Sequence, residues 1–129
     1  MIVVDTSVWI VAFRSAGRRE ARVLTNLLDH DDVGLPVVVR LELIGGASRA
    51  DRPGLRRLLS ALPLLDPTDD TWQIMDGWVE RAAEAGTRFG IGDLLIGALA
   101  AECGALVWSL DSVFARMESL DLIARYDPS

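Results

Sequence analysis

Apolar positions along this chain fall into two spacings, short unbroken runs and longer segments with helical periodicity. Ile2-Val3-Val4 is a β-branched run that predicts a buried strand. The polar trio Asp5-Thr6-Ser7 then reads as a helix cap, and Val8, Trp9, Ile10, Val11 and Phe13 as the helix it opens. Ala21, Leu24, Leu27 and Leu28 share one face of a second helix covering about Arg18 to Asp29. Asp31-Asp32 predicts a turn and Val33-Gly34-Leu35 a short strand. Pro36 opens a helix that runs to Gly45-Gly46. Beyond a polar stretch from Ala47 to Gly54, Leu55, Leu58, Leu59 and Leu62 return at helical spacing, and Leu64-Leu65 predicts a short strand.

Thr68-Asp69-Asp70 caps a long helix reaching about Ala85, with Trp72, Met75, Val79 and Ala82 as a stripe suited to a core face or a dimer seam. Gly86 ends it. Gly90-Ile91-Gly92-Asp93 leads into a strongly apolar helix to about Cys103, stopped by Gly104. Ala105 to Trp108 predicts a strand, Asp111 to Met117 a short helix, and Leu122 to Ala124 a last strand. Short apolar strands alternating with helices predict an α/β fold, a three-layer α/β/α sandwich on a parallel sheet of about four or five strands. No linker or repeat divides residues 1–129, so one domain is expected.

Composition removes several chemistries. One His and one Cys among 129 residues exclude a two-histidine acid–base ribonuclease, a histidine-rich zinc site, a Ser–His–Asp triad and a disulfide scaffold. All 13 basic residues are Arg, which excludes Schiff-base lysines and the Walker-type P-loop. A net charge of −6 argues against sequence-blind adhesion to nucleic acid. The arginines are nonetheless clustered, as Arg14, Arg18, Arg19 and Arg22 and as Arg49, Arg52, Arg56 and Arg57. These read either as solvated helix faces or as contacts to phosphate or an acidic partner. Met1-Ile2-Val3-Val4-Asp5 meets a carboxylate at once and predicts no signal peptide. The apolar stretch from Leu94 to Leu110 carries Glu102 at its centre and falls short of the ~20 residues a membrane span needs. A cytoplasmic chain without membrane contact is expected.

Four acids stand where apolar elements do not favour them. Asp5 follows the first strand and Asp111 the strand ending at Trp108. In an open parallel sheet ligands gather at the carboxyl ends of the strands, so neighbouring strands would aim both acids into one crevice. Asp93 opens a helix otherwise built of Leu, Ile, Ala and Gly. Glu42 shares a helix face with Val38, Val39, Gly45 and Gly46, where an ionised carboxylate needs a partner. Each aspartate taken singly reads as a helix cap, and Glu42 as reaching solvent or an Arg. Taken together, carboxylates about 5 Å apart repel by roughly 3 kcal/mol per pair at an effective dielectric near 20. Such a group either retains protons or holds a cation, and an all-oxygen set favours Mg²⁺ or Mn²⁺. A carboxylate-held divalent ion suits phosphoryl chemistry.

The motifs that carry these acids resemble the PIN-domain family, and in size and layout its VapC-type ribonuclease toxins. The resemblance rests on Ile-Val-Val-Asp5-Thr6-Ser7-Val-Trp, on Arg40-Leu41-Glu42-Leu43 with its glycines, on Gly90-Ile91-Gly92-Asp93-Leu94-Leu95, and on Trp108-Ser109-Leu110-Asp111-Ser112-Val113-Phe114. Ser109 stands where the family usually has Thr. Val113 stands where many relatives have a further Asp, which leaves the choice between one and two ions open. The resemblance implies a metal-dependent endoribonuclease, usually homodimeric, silenced by a small antitoxin protein whose tail covers the acidic site. The complex would be a heterotetramer or larger. It implies that Asp5, Asp93 and Asp111 hold Mg²⁺ directly or through water, and that Glu42 completes the oxygen set or orients the attacking water. Thr6, Ser7 and Ser109 are the candidates to steady Asp5 or touch substrate by hydroxyl. In-line attack on an RNA phosphodiester would leave a 5′-phosphate and a 3′-hydroxyl.

Two alternatives stay open on the residues alone. One is a PIN-like interaction module whose site is impaired by Val113. The other is a different metal-dependent phosphoryl hydrolase, against which count Ser7, where a haloacid-dehalogenase-type enzyme needs Asp, and the lack of any Lys.

Overall fold

Strand β1 (Ile2–Val4) is buried at every position, because parallel neighbours flank it on both sides and β-branched side chains fill both its faces. The computed structural model describes residues 1–128. Helices α1 (Thr6–Arg14) and α2 (Arg19–Asp29) connect β1 to β2 (Val33–Pro36). Helices α3 (Val37–Gly46) and α4 (Arg52–Ser60) lead to the short β3 (Leu64–Leu65). Helices α5 (Asp69–Glu84) and α6 (Ile91–Glu102) lead to β4 (Leu106–Trp108), and α7 (Val113–Ser119) follows. All pairings in the sheet are parallel, and the strand order is β3-β2-β1-β4. This is the expected α/β class, a four-stranded parallel sheet flanked by helices.

The order contains one reversal. The chain steps from β1 outward through β2 to β3, then returns to place β4 on the other side of β1. The crevice between β1 and β4 at their carboxyl ends is therefore the switch point where such sheets take ligands. Register fixes what meets there. Ile2, Val3 and Val4 pair with Leu106, Val107 and Trp108, so the next residues, Asp5 and Ser109, come to lie side by side.

Helix α6 is buried at every position from Leu94 to Ala100, which explains its lack of a polar face. It packs against β1, β4, α3, α5 and α7. Gly86 and Gly104 adopt φ of +73° and +66°, the left-handed backbone expected beyond a helix end.

Several sequence expectations are corrected. The last strand over Leu122–Ala124 does not form: only an isolated parallel bridge joins Arg125 to Val107, while Leu122 anchors the segment by burial. Pro36 closes β2 and caps α3 instead of entering its first turn. Helix α4 starts at Arg52, so Pro53 and Gly54 belong to its first turn, where a missing N–H costs nothing. Helix α7 begins at Val113, two residues later than Asp111. The buried stripe of α5 is Thr71, Met75, Trp78 and Ala82, while Trp72 and Val79 are exposed. The polar member, Thr71, is satisfied by donating to Glu102 of α6 and accepting from the Thr68 N–H. Among the described residues no helix is long and apolar enough to cross a membrane.

Candidate functional site

Asp5 leaves β1 in extended backbone and occupies the N-cap position of α1, yet its side chain makes no capping bond. The carboxylate turns instead toward β4. It is buried at 7% exposure, and its Oδ2 accepts hydrogen bonds from Ser7 Oγ at 2.8 Å and Ser109 Oγ at 2.7 Å. Each hydroxyl is in turn fixed by a backbone N–H, Leu110 donating to Ser7 Oγ at 3.0 Å and Asp111 to Ser109 Oγ at 2.9 Å. Both hydroxyls thus converge on one oxygen of Asp5, and they also lie 3.2 Å from each other, where either can donate. Its Oδ1 accepts no hydrogen bond among the described residues. A buried carboxylate normally has its oxygens satisfied, so the open Oδ1 marks a place for another group.

Three further acids surround this position. Asp93 stands in the first turn of α6, one residue short of the buried run. Partial burial, then the charges of Asp5 and Asp111, push its carboxyl above the ordinary value of 3.8, against a smaller opposite pull from Arg116. Glu42 lies on the exposed side of α3, so the expected apolar face is only its border: Val39 is buried but Gly45 and Gly46 are open. Partial loss of water, then the charges of Asp5 and Asp93, push it above its ordinary 4.5. The Thr6 hydroxyl approaches Glu42 closely enough to favour its ionised form slightly, without meeting hydrogen-bond geometry. Thr6 Oγ1 is buried with no hydrogen-bond partner among the described residues. Asp111 is exposed, and its Oδ1 accepts the Val113 N–H at 3.0 Å, so it supports the start of α7 while its other oxygen stays open.

Four of the sequence candidates, Asp5, Glu42, Asp93 and Asp111, are therefore brought into one electrostatic neighbourhood, with Asp5 and Asp93 at its centre. None of them forms an ion pair among the described residues. Nor do three acidic, histidine or cysteine side chains there converge tightly enough to enclose an ion. The acids form an open rim, with Ser7 and Ser109 beside Asp5 at the β1–β4 crevice and Thr6 beside Glu42. Val113, which replaces the further acid of many relatives, is buried in the core and adds no donor.

The sequence reading missed Arg116, a cation whose charge reaches Asp93. Its only signal is a position five residues after Asp111 in the short terminal helix. Beside the rim, a groove of about 530 Å³ runs from Glu42 along Ile10, Phe13, Leu43 and Leu55.

Residues 2–120 match the family model of the PIN domain. The chain is 32% identical over 130 residues to Ribonuclease VapC11 of Mycobacterium tuberculosis, across 97% of this chain and 92% of that protein. Among solved structures it is similar to VapBC-1 of nontypeable Haemophilus influenzae, with a TM-score of 0.77 at 16% identity over 99% of this chain and 98% of the other. It is also similar to VapBC-5 of Mycobacterium tuberculosis, a member of the VapBC family of toxin–antitoxin systems, with a TM-score of 0.68 at 28% identity over 96% and 97% of the two chains.

Proposed function

The chain belongs to the PIN-domain family, and from that premise we propose that it is a VapC-type ribonuclease toxin that hydrolyses RNA with a divalent metal ion. The observation that carries the site assignment is the Asp5 carboxylate, buried at the switch point, held by two hydroxyls through one oxygen and open at the other. Glu42, Asp93 and Asp111 add negative charge around it, and among the described residues no side-chain cation forms an ion pair with any of them. An open set of oxygen donors suits Mg²⁺ or Mn²⁺, because Mg²⁺ keeps several waters and takes only one or two carboxylates directly. The orphaned Thr6 hydroxyl beside Glu42 supports the same reading, since an ordered water in the site would satisfy it.

Asp5, Asp93 and Asp111 would hold the ion, directly or through water. Bound there, it supplies polarisation of the scissile phosphate and an acidified water. Ser7 and Ser109 orient Asp5 through its Oδ2. Glu42, on α3 within reach of the charges of Asp5 and Asp93, would complete the oxygen set or align the attacking water opposite the leaving 3′-oxygen. The products are a 5′-phosphate and a 3′-hydroxyl, with no role for the 2′-hydroxyl as nucleophile.

A cognate antitoxin is the proposed protein partner. The apolar groove leading off Glu42 would take its tail, which would cover the acidic rim. The exposed Trp72 and Val79 on α5 support a homodimer seam. Incubating the purified chain with cellular RNA in Mg²⁺, in Mn²⁺ and in chelator tests the central reading. Discrete fragments with 5′-phosphate ends, formed only with metal, are expected. Intact RNA in both metals, or equal cutting in chelator, would overturn it.

A further inference from the structure

Helix α7 carries a cation whose charge reaches Asp93 and with which no carboxylate among the described residues forms an ion pair. The guanidinium of Arg116 stands 5.6 Å from the centroid of the Phe89 ring, and its Nη1 donates to Thr87 Oγ1 at 3.2 Å. Phe89 is buried, so the plate on which the guanidinium rests is immobile. Both anchors belong to the segment that enters α6, whose first turn bears Asp93, while Arg116 itself sits on the helix that follows Asp111. Arg116 therefore bridges the two chain segments that present these acids. It is exposed and forms no ion pair among the described residues. A guanidinium has five N–H donors, and Thr87 takes one.

A rim of carboxylates repels a polyanion, so substrate entry calls for a cation placed where the backbone must pass. We propose that Arg116 binds a phosphate of the RNA backbone next to the acidic rim, a substrate contact that rests on the ribonuclease reading above. The planar fork suits a phosphate, and the cation–π contact with Phe89 together with the Thr87 bond orients it in advance at little entropic cost. Arg116 takes no part in holding the metal.

The test compares wild type with R116M for binding of a random-sequence single-stranded RNA pool in chelator, over a series of salt concentrations. Loss of one charge-assisted phosphate contact should weaken binding about tenfold or more. The slope of log affinity against log salt should fall by about 0.7, the value for one phosphate on a single strand. Magnesium uptake should be unchanged. Equal affinity and slope in the two proteins would overturn the proposal, as would a lower melting temperature with an unchanged slope, which is the signature of a purely structural clamp. Should R116M fail to fold, R116Q keeps a donor for Thr87 and is held to the same two criteria. A wild type that binds RNA and cuts it, beside an R116M that does both equally well, refutes this inference alone. A wild type that does neither refutes the ribonuclease reading and this contact together.

Discussion

Ser109 donates a 2.7 Å hydrogen bond to Asp5 across 104 residues of sequence, because the parallel register of β1 and β4 sets the two side by side one step beyond Val4 and Trp108. The hydroxyl leaves Asp5 one oxygen bound and one open. A charge-assisted bond of this kind is worth about 1.5–3 kcal/mol. S109A should therefore cut kcat roughly ten- to hundredfold while the protein stays folded. S109T keeps the hydroxyl and should retain most of the activity. Single-turnover cleavage of one RNA by the three proteins checks this, and equal rates for S109A and wild type would remove the positioning role.

Asp93 is held above its ordinary ionisation range by partial burial and by Asp5 and Asp111. Replacing it with Asn removes the repelling charge and keeps the shape. D93N should lose metal-dependent cleavage while its metal-free melting temperature stays equal to or above that of wild type. Full cleavage by the pure variant in the same Mg²⁺ would contradict the assignment.

The pH dependence follows from the same shifts. Glu42 and Asp93 bind protons more firmly in the folded chain than at their ordinary values of 4.5 and 3.8. Below those values both states are protonated and the shift has no effect. As pH rises through the unfolded and then the higher folded values, the folded state binds the extra protons and stability falls. Metal-free wild type should thus lose stability relative to an E42Q/D93N double variant upward from about pH 4, and the gap should persist at neutral pH. Mg²⁺ should offset the loss, with a stabilisation that grows over the same window as protons cease to compete. Chemical denaturation across that range, with and without Mg²⁺, measures both effects. Parallel curves for the two proteins would contradict the shared-charge account.

Gly97 lies in the buried run of α6, where an added Cβ would stand 3.1 Å from both Met117 Sδ and Trp78 Cζ3. Met117 is flexible but the Trp78 ring is not, so a branched side chain forces the α5–α6 packing apart. G97V should destabilise the chain by about 1–3 kcal/mol, the usual cost of overpacking. Denaturant midpoints compare it with wild type, and an unchanged midpoint would show that the interface yields.

Much of this arrangement is legible in the chain because it is local. A β-branched run ending in Asp5-Thr6-Ser7 announces a strand that stops at a carboxylate, and the alternation with helices implies parallel strands. Asp93 is conspicuous on an otherwise apolar helix for the same reason. What stays hidden depends on contacts between distant segments. The convergence of the Ser7 and Ser109 hydroxyls on a single oxygen of Asp5 follows from strand register, which no spacing encodes. Arg116 draws its placement from Thr87 and Phe89 on another segment, so its own neighbours in sequence do not mark it. On α5 the apolar pattern admits two stripes one residue apart. The choice of Trp78 over Val79 for the core is made by packing against α6, and the pairing of Thr71 with Glu102 makes a polar position acceptable there. The segment after α7 has strand-like residues, but only one position reaches β4 in register.

Titration calorimetry of Mg²⁺ into the metal-free protein tests the shared acidic site most directly. Wild type should take up Mg²⁺ saturably and a folded D5N variant should not, because Asp5 supplies the open oxygen around which the other acids gather. Absence of uptake by wild type, or uptake of equal strength by D5N, would contradict this assignment.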